Sequence, residues 1–143
     1  MPDLCDLTAT ELRTLIGRKD ISPVELVESC IERIESIDGR LNAIVTKSYE
    51  RARDEARDAE KAVLDGEELG LLHGLPLGIK DLETTAGIRT TFGSKLYADH
   101  IPAHDQGVVA NMRGAGGIIL GKTNTPEFGA GANTRHLVFC ATG

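Results

Sequence analysis

Residues 75–122 change hydrophobic period twice within a short stretch, and few folds accommodate that. Leu75, Leu77 and Ile79 alternate as a half-buried strand does, which sets Gly78 and Lys80 on the opposite face. Asp105 to Arg113 then reads as a helix with Val108, Val109 and Met112 inward. Gly117 to Leu120 follows as a short, wholly apolar strand of the kind buried on both faces. Strand, helix and strand of these lengths predict a right-handed parallel crossover. Ligands of such sheets lie outside the carboxyl ends of the strands, and Lys80 and Lys122 both fall at such ends.

The preceding third of the chain carries helix punctuation. Thr8 and Glu11 form a capping-box pattern, with Leu7 and Leu12 placed as a hydrophobic staple. The arrangement recurs at Ser22 and Glu25, with Ile21 and Leu26 as the staple and Pro23 at the first helical position. Val27, Cys30, Ile31 and Ile34 continue at helical spacing, and Asp38-Gly39 predicts the stop. A third helix is expected from about Tyr49 to Leu64, with Ala52, Ala56, Ala59 and Val63 as a narrow stripe and Gly66 as its cap. These helices read as packing elements.

Composition bounds the function. Hydrophobic residues make up 41% and charged residues 27%, as in an ordinary globular domain, and no apolar run is long enough to span a membrane. The acidic, polar first residues do not read as a secretory signal. A net charge of −6 argues against a nucleic-acid partner bound through its phosphates. Cys5, Cys30 and Cys140 lack metal-ligand spacing and read as reduced thiols of a cytoplasmic protein. The sequence leaves a homo-oligomer open.

Two patterns mislead. Gly116 to Thr123 satisfies the phosphate-loop pattern G-x-x-x-x-G-K-T, but Ile118, Ile119 and Leu120 are strand residues where that loop needs a flexible turn. Pro126 also delays any following helix, so Lys122 reads as a solvated or ion-paired strand-end lysine. His100 and His104 have the spacing of a helical metal pair, but Pro102 lies between them and no third ligand is visible, so a surface loop is expected.

The segment HGLPLGIKD, the GIILGKTN strand followed by TPEFGAGANT, and the tail VFCATG resemble, in order and spacing, the amidase signature family. These are hydrolases that cut amide bonds with a serine, a second serine in a cis peptide, and a lysine. The resemblance implies an α/β fold: N-terminal helices over residues 1–70, then over 71–143 part of a mostly parallel, helix-covered sheet carrying the catalytic lysine. It also implies that Lys80 is that lysine and that Gly129, Ala130, Gly131, Ala132 and Asn133 form the substrate-side loop. The substrate would be a small carboxamide, with no metal and no cofactor. The segment bearing both serines would begin beyond Gly143, so this stretch alone is expected to be inactive. His136-Leu137 stands where the family usually shows Asn-Pro, and Cys140 replaces a customary glycine.

The implied chemistry makes a demand on Lys80. A lysine acts as a base only when neutral, and its ordinary pKa of about 10.4 keeps it charged. Burial and neighbouring positive charge lower that value. In the implied mechanism the neutral lysine accepts a proton relayed through the cis serine, and the nucleophilic serine forms an acyl-enzyme that water hydrolyses. Two further readings remain: the A subunit of glutamyl-tRNA amidotransferase, and a non-catalytic remnant that binds a partner. The family's A subunits tend to show asparagine after the aspartate of this motif. Leu82 stands there, which favours a free-standing amidase.

Overall fold

The computed structural model describes residues 3–143. Its regular elements are α1 (Ala9–Gly17), α2 (Pro23–Leu41), β1 (Ile44–Lys47), α3 (Tyr49–Asp65), β2 (Pro76–Lys80), α4 (Gly107–Gly114), β3 (Ile118–Thr123), β4 (Arg135–His136) and β5 (Cys140–Ala141). Two compact units divide the chain. One takes residues through Glu35 with Ser48–Leu77 and Met112–Leu120, and the other takes Ser36–Lys47, Gly78–Asn111 and Gly121–Gly143.

In the first unit both capping boxes form. The Thr8 hydroxyl accepts from the Glu11 amide at 3.3 Å while the Glu11 carboxylate accepts from the Thr8 amide at 2.8 Å. Ser22 and Glu25 repeat the exchange at 3.0 and 2.8 Å. Two apolar clusters follow from the helical stripes. Leu12, Ile16, Leu26, Val63 and Leu75 form one, with Leu7 and Ile21 packed against it. Val27 and Ile31 of α2, the alanines of α3, and Ile118 and Leu120 of β3 form the other. The small alanine side chains let α3 lie close to its neighbours, so its apolar stripe can be narrow. Gly66, at φ 75°, caps α3 in the left-handed region.

Three features differ from the sequence expectation. α2 runs past Gly39 to Leu41, and Asn42, at φ 54°, is the left-handed residue that ends it. The Asp38 carboxylate then accepts from the amides of Ala43 and Ile44, which turns the chain into β1. Asparagine tolerates that conformation where most residues do not. β1 itself gave no sequence signal, being four residues long. In α4, Val109 is buried, whereas Val108 is 44% exposed and does not face inward.

The main sheet has the order β1-β3-β2. Gly74 donates to the Gly116 carbonyl, Ile118 to that of Leu75, and Asp81 to that of Thr123. Residue numbers climb together along that pair, so β2 and β3 are parallel, as the crossover pattern predicts. β1 adds to the other side of β3 and runs antiparallel to it. β4 and β5 form a separate antiparallel ladder. No described helix is long and apolar enough to cross a membrane.

Candidate active site

Alternation along β2 decides where its lysine goes. Ile79 is buried, and Gly78 and Lys80 are exposed on the opposite face. Gly78 serves a close approach, because a Cβ there would meet the Thr123 methyl at 2.9 Å. The strand ends when the Glu83 amide closes a turn on the Lys80 carbonyl at 2.9 Å. One residue on, Asp81 is fully buried. Its carboxylate accepts from the Thr91 amide at 3.0 Å and from the Thr91 hydroxyl. Its main chain pairs with Thr123 and Phe92. Lys80 and Asp81 therefore form no ion pair.

The buried lysine of this region is Lys122, contrary to the expectation of a solvated or ion-paired strand end. Its side chain has no exposed surface. The ammonium donates to the Glu83 carbonyl, to the Thr85 hydroxyl at 2.9 Å and to the Thr90 hydroxyl at 3.0 Å. Those hydroxyls give their own protons to the carbonyls of Glu83 and Ile88, so both face the ammonium as acceptors. Burial pushes the Lys122 pKa down to about 8, against the opposing pull of Asp81, Glu83 and Asp105. Three acceptors for three N–H bonds satisfy the charged form, so geometry and desolvation oppose one another here. The consequence is mechanical: Lys122 pins the segment 83–90 that leaves the end of β2. A hydroxyl-rich run after β2 (Thr84, Thr85, Thr90, Thr91), read with a lysine inside an otherwise apolar strand, is the signal that could have found it.

Gly129, Ala130, Gly131, Ala132 and Asn133 are all exposed. Just before them Phe128 takes φ 50°, and its amide donates to the Phe92 carbonyl at 2.7 Å. Gly129, at φ 73°, lies against the side chain two residues beyond Lys80, since a Cβ on it would stand 2.8 Å from Leu82 Cδ1. The second unit thus brings this loop and the end of β2 together through Leu82. The first unit has an open cleft of about 440 Å³ lined by Arg51, Glu55, His73 and Arg113 among others, and it contains none of these residues.

Neither misleading pattern becomes a site. β3 is continuous from Ile118 to Thr123, and the next helical turn, Glu127–Gly129, is a single 3-10 turn, so no helix starts at Lys122. His104 lies in an exposed loop, and no group of three metal-ligating side chains occurs among the described residues.

The family model for Amidase matches residues 25–143. The chain belongs to the amidase family. Among its relatives, the A subunit of the glutamyl-tRNA(Gln) amidotransferase of Moorella thermoacetica is 43% identical over 98% of this chain and 29% of its own length. An acylamidase of Rhodococcus erythropolis is 42% identical over 92% of this chain and 28% of its own length. A solved bacterial aryl acylamidase of the amidase signature family superposes with a TM-score of 0.89 at 35% identity, over 95% of this chain and 29% of that one. The chain thus spans less than a third of the length of these amidase-family proteins.

The departures from the family pattern have local accounts. His136 is buried, with Nε2 2.7 Å from the Asn124 side-chain oxygen, while its Nδ1 accepts from the Val138 amide at 3.1 Å. Nδ1 is thus the acceptor and Nε2 carries the hydrogen. Asn124 in turn donates to the Thr142 hydroxyl at 3.0 Å. Cys140, where the family customarily has glycine, adopts φ 66°. The backbone there has a conformation that glycine adopts freely, with a side chain added to it.

Proposed function

We propose that the polypeptide containing these residues is an amidase that hydrolyses a small carboxamide to a carboxylate and ammonia or an amine. Lys80 would be the base of a serine–cis-serine–lysine set, and Gly129–Asn133 the loop on the substrate side. The observation that carries this reading is Lys80 at the carboxyl end of a parallel strand, with that loop packed on Leu82 just beyond it. In an open parallel sheet this is where ligands sit. The lysine would take the serine proton as the nucleophile attacks the amide carbon and return it to the departing nitrogen. That role needs a neutral amine, and so needs Lys80 covered. Its exposure in the described residues supports the view that residues 1–143 alone are silent on amides. The three free thiols support a reducing, cytoplasmic setting.

The test is ammonia release from a panel of simple carboxamides. It compares residues 1–143, a chain extended through the serine segment, and the extended chain carrying Lys80→Ala. Turnover by the extended chain alone is expected. Lys80-dependent turnover by the short chain, or an extended chain indifferent to Lys80→Ala, overturns the reading. The 43% identity to the A chain of a tRNA-dependent amidotransferase favours a second reading within the same chemistry. It predicts ammonia from glutamine, raised by glutamyl-tRNA and companion proteins, and no turnover of simple carboxamides.

A further inference from the structure

The chain's first described turn, Leu4–Asp6, is fastened to α2 by polar contacts. Arg33 reaches Asp3 at 2.6 Å and Asp6 at 3.2 Å, and the Ser29 hydroxyl donates to Asp3 at 3.2 Å. The Arg33 guanidinium, helped by the Cys5 amide and Ser29, holds the Asp3 carboxyl down to about 2. Two thiols lie within this clasp. Cys5 Sγ is 3.7 Å from Cys30 Sγ and 3.4 Å from the Ser29 hydroxyl oxygen, and both cysteines are half-buried.

We propose that Cys5 and Cys30 are a redox pair that a peroxide converts into an intramolecular disulfide, tying the N-terminal turn covalently to α2. The sulfurs are already in van der Waals contact. A disulfide of ~2.05 Å requires them to close by about 1.7 Å. That movement falls on the turn. Leu4–Asp6 is a three-residue turn with exposed polar contacts and one side chain, Leu4, on a single apolar cluster, whereas Cys30 sits within a 19-residue helix and packs against both clusters.

The chemistry divides the roles. The Cys5 thiolate attacks one oxygen of hydrogen peroxide and the O–O bond breaks. The departing hydroxide takes up a proton to leave as water, and Cys5 becomes a sulfenic acid. The Cys30 sulfur then attacks the Cys5 sulfur. The S–O bond breaks, and the hydroxide leaves as a second water carrying the Cys30 proton. Two thiols and one peroxide thus give one disulfide and two waters, with two electrons passing from sulfur to oxygen. Burial, and then the neighbouring Cys5, push the Cys30 thiol up to about 12. A thiol held protonated in this way is not the one that meets the peroxide, and its attack on the Cys5 sulfenic acid rests on the 3.7 Å approach of the two sulfurs. The new ring encloses α1 and the start of α2, so it restricts the unfolded chain and should raise the melting temperature.

The test treats the reduced chain with a modest excess of hydrogen peroxide, quenches it with N-ethylmaleimide and maps the peptides by mass spectrometry. The expected product is a monomer lacking two hydrogens, with Cys5 and Cys30 in one cross-linked peptide. It should melt several degrees higher than the reduced form, and dithiothreitol should reverse the change. Cys140→Ser should behave the same, and Cys5→Ser should gain no stability. Dimedone added at early times to the unmutated chain should trap Cys5, and the adduct should give way to the cross-link when dimedone is left out. This arm needs no substitution at Cys30. Unreacted Cys5 and Cys30, oxidation ending at a Cys5 sulfinic acid, or disulfides formed only through Cys140 would each overturn the proposal.

Discussion

The ammonium of Lys122 lies 2.9 Å from the hydroxyl of Thr85, a residue 37 positions earlier in the chain. Together with Thr90 and the Glu83 carbonyl, this contact makes a buried cation the keystone of the loop that follows the candidate catalytic strand.

Replacing that cation should be felt in stability and in its pH dependence. Lys122→Met takes the ammonium donor away from the Glu83 carbonyl and from the Thr85 and Thr90 hydroxyl oxygens, which keep only their bonds to one another and to the Ile88 carbonyl, a loss of about 2 kcal/mol. The folded pKa of about 8 lies below the ordinary 10.5. Between those values the unfolded chain holds more protons than the folded one, so the lysine's contribution to stability rises with pH across that window. The shift of 10.5 − 8 corresponds to roughly 3 kcal/mol. Urea midpoints of the wild type and the variant should therefore diverge as pH climbs through the window. A constant difference would show that Lys122 does not titrate there.

Two glycine-to-alanine changes should move stability in opposite directions. Gly39 lies within α2 with nothing within 4 Å of a new Cβ, so Gly39→Ala should stabilise by up to about 1 kcal/mol. At Gly121 a Cβ would stand 2.3 Å from the Thr46 carbonyl oxygen, and Gly121→Ala should cost about 1–3 kcal/mol as β1 and β3 are pushed apart. Thermal unfolding of the two variants side by side provides the measurement.

Restoring glycine at position 140 should help. Cys140 sits at φ 66°, which costs an L-residue about 1–2 kcal/mol. Glycine's greater freedom in the unfolded chain offsets part of the gain. Cys140→Gly should still raise the denaturation midpoint slightly, while Cys140→Ala leaves it near the wild-type value. Equal midpoints for the glycine and alanine variants would show that the turn is unstrained.

Nucleotides should not bind. Lys122 is committed to Glu83, Thr85 and Thr90 and lies inside a strand, so it has no hydrogen left to offer a phosphate. Titration calorimetry with ATP and magnesium should show no saturable heat. Micromolar binding lost in Lys122→Ala would contradict this.

Local chemistry was legible in the sequence and distant chemistry was not. Thr8 with Glu11 and Ser22 with Glu25 are three residues apart, so their reciprocal hydrogen bonds could be read directly. The same holds for Lys80, whose face follows from the two-residue period of Leu75, Leu77 and Ile79. The end of α2 was misplaced because Gly39 is the stronger generic stop, whereas Asn42 ends the helix in cooperation with Asp38. β1 is too short to carry a period. The burial of Lys122 could not be read, because its partners arrive from another element and lone lysines are usually solvated. Its family setting did not help, since the motif that made Lys80 conspicuous left Lys122 looking like a decoy.

β3 is flanked by a neighbour on each side, β1 antiparallel and β2 parallel. A strand placed this way has committed both of its lateral rows of amides and carbonyls, so the sheet can widen only along the outer rims of β1 and β2. The two rims are not equivalent. An addition beside β2 would run along the backbone of Gly78 and Lys80 and alter the surroundings of that lysine. An addition beside β1 would leave them as they are. The direction in which a longer polypeptide builds outward from this sheet thus decides which groups come to surround the Lys80 amine.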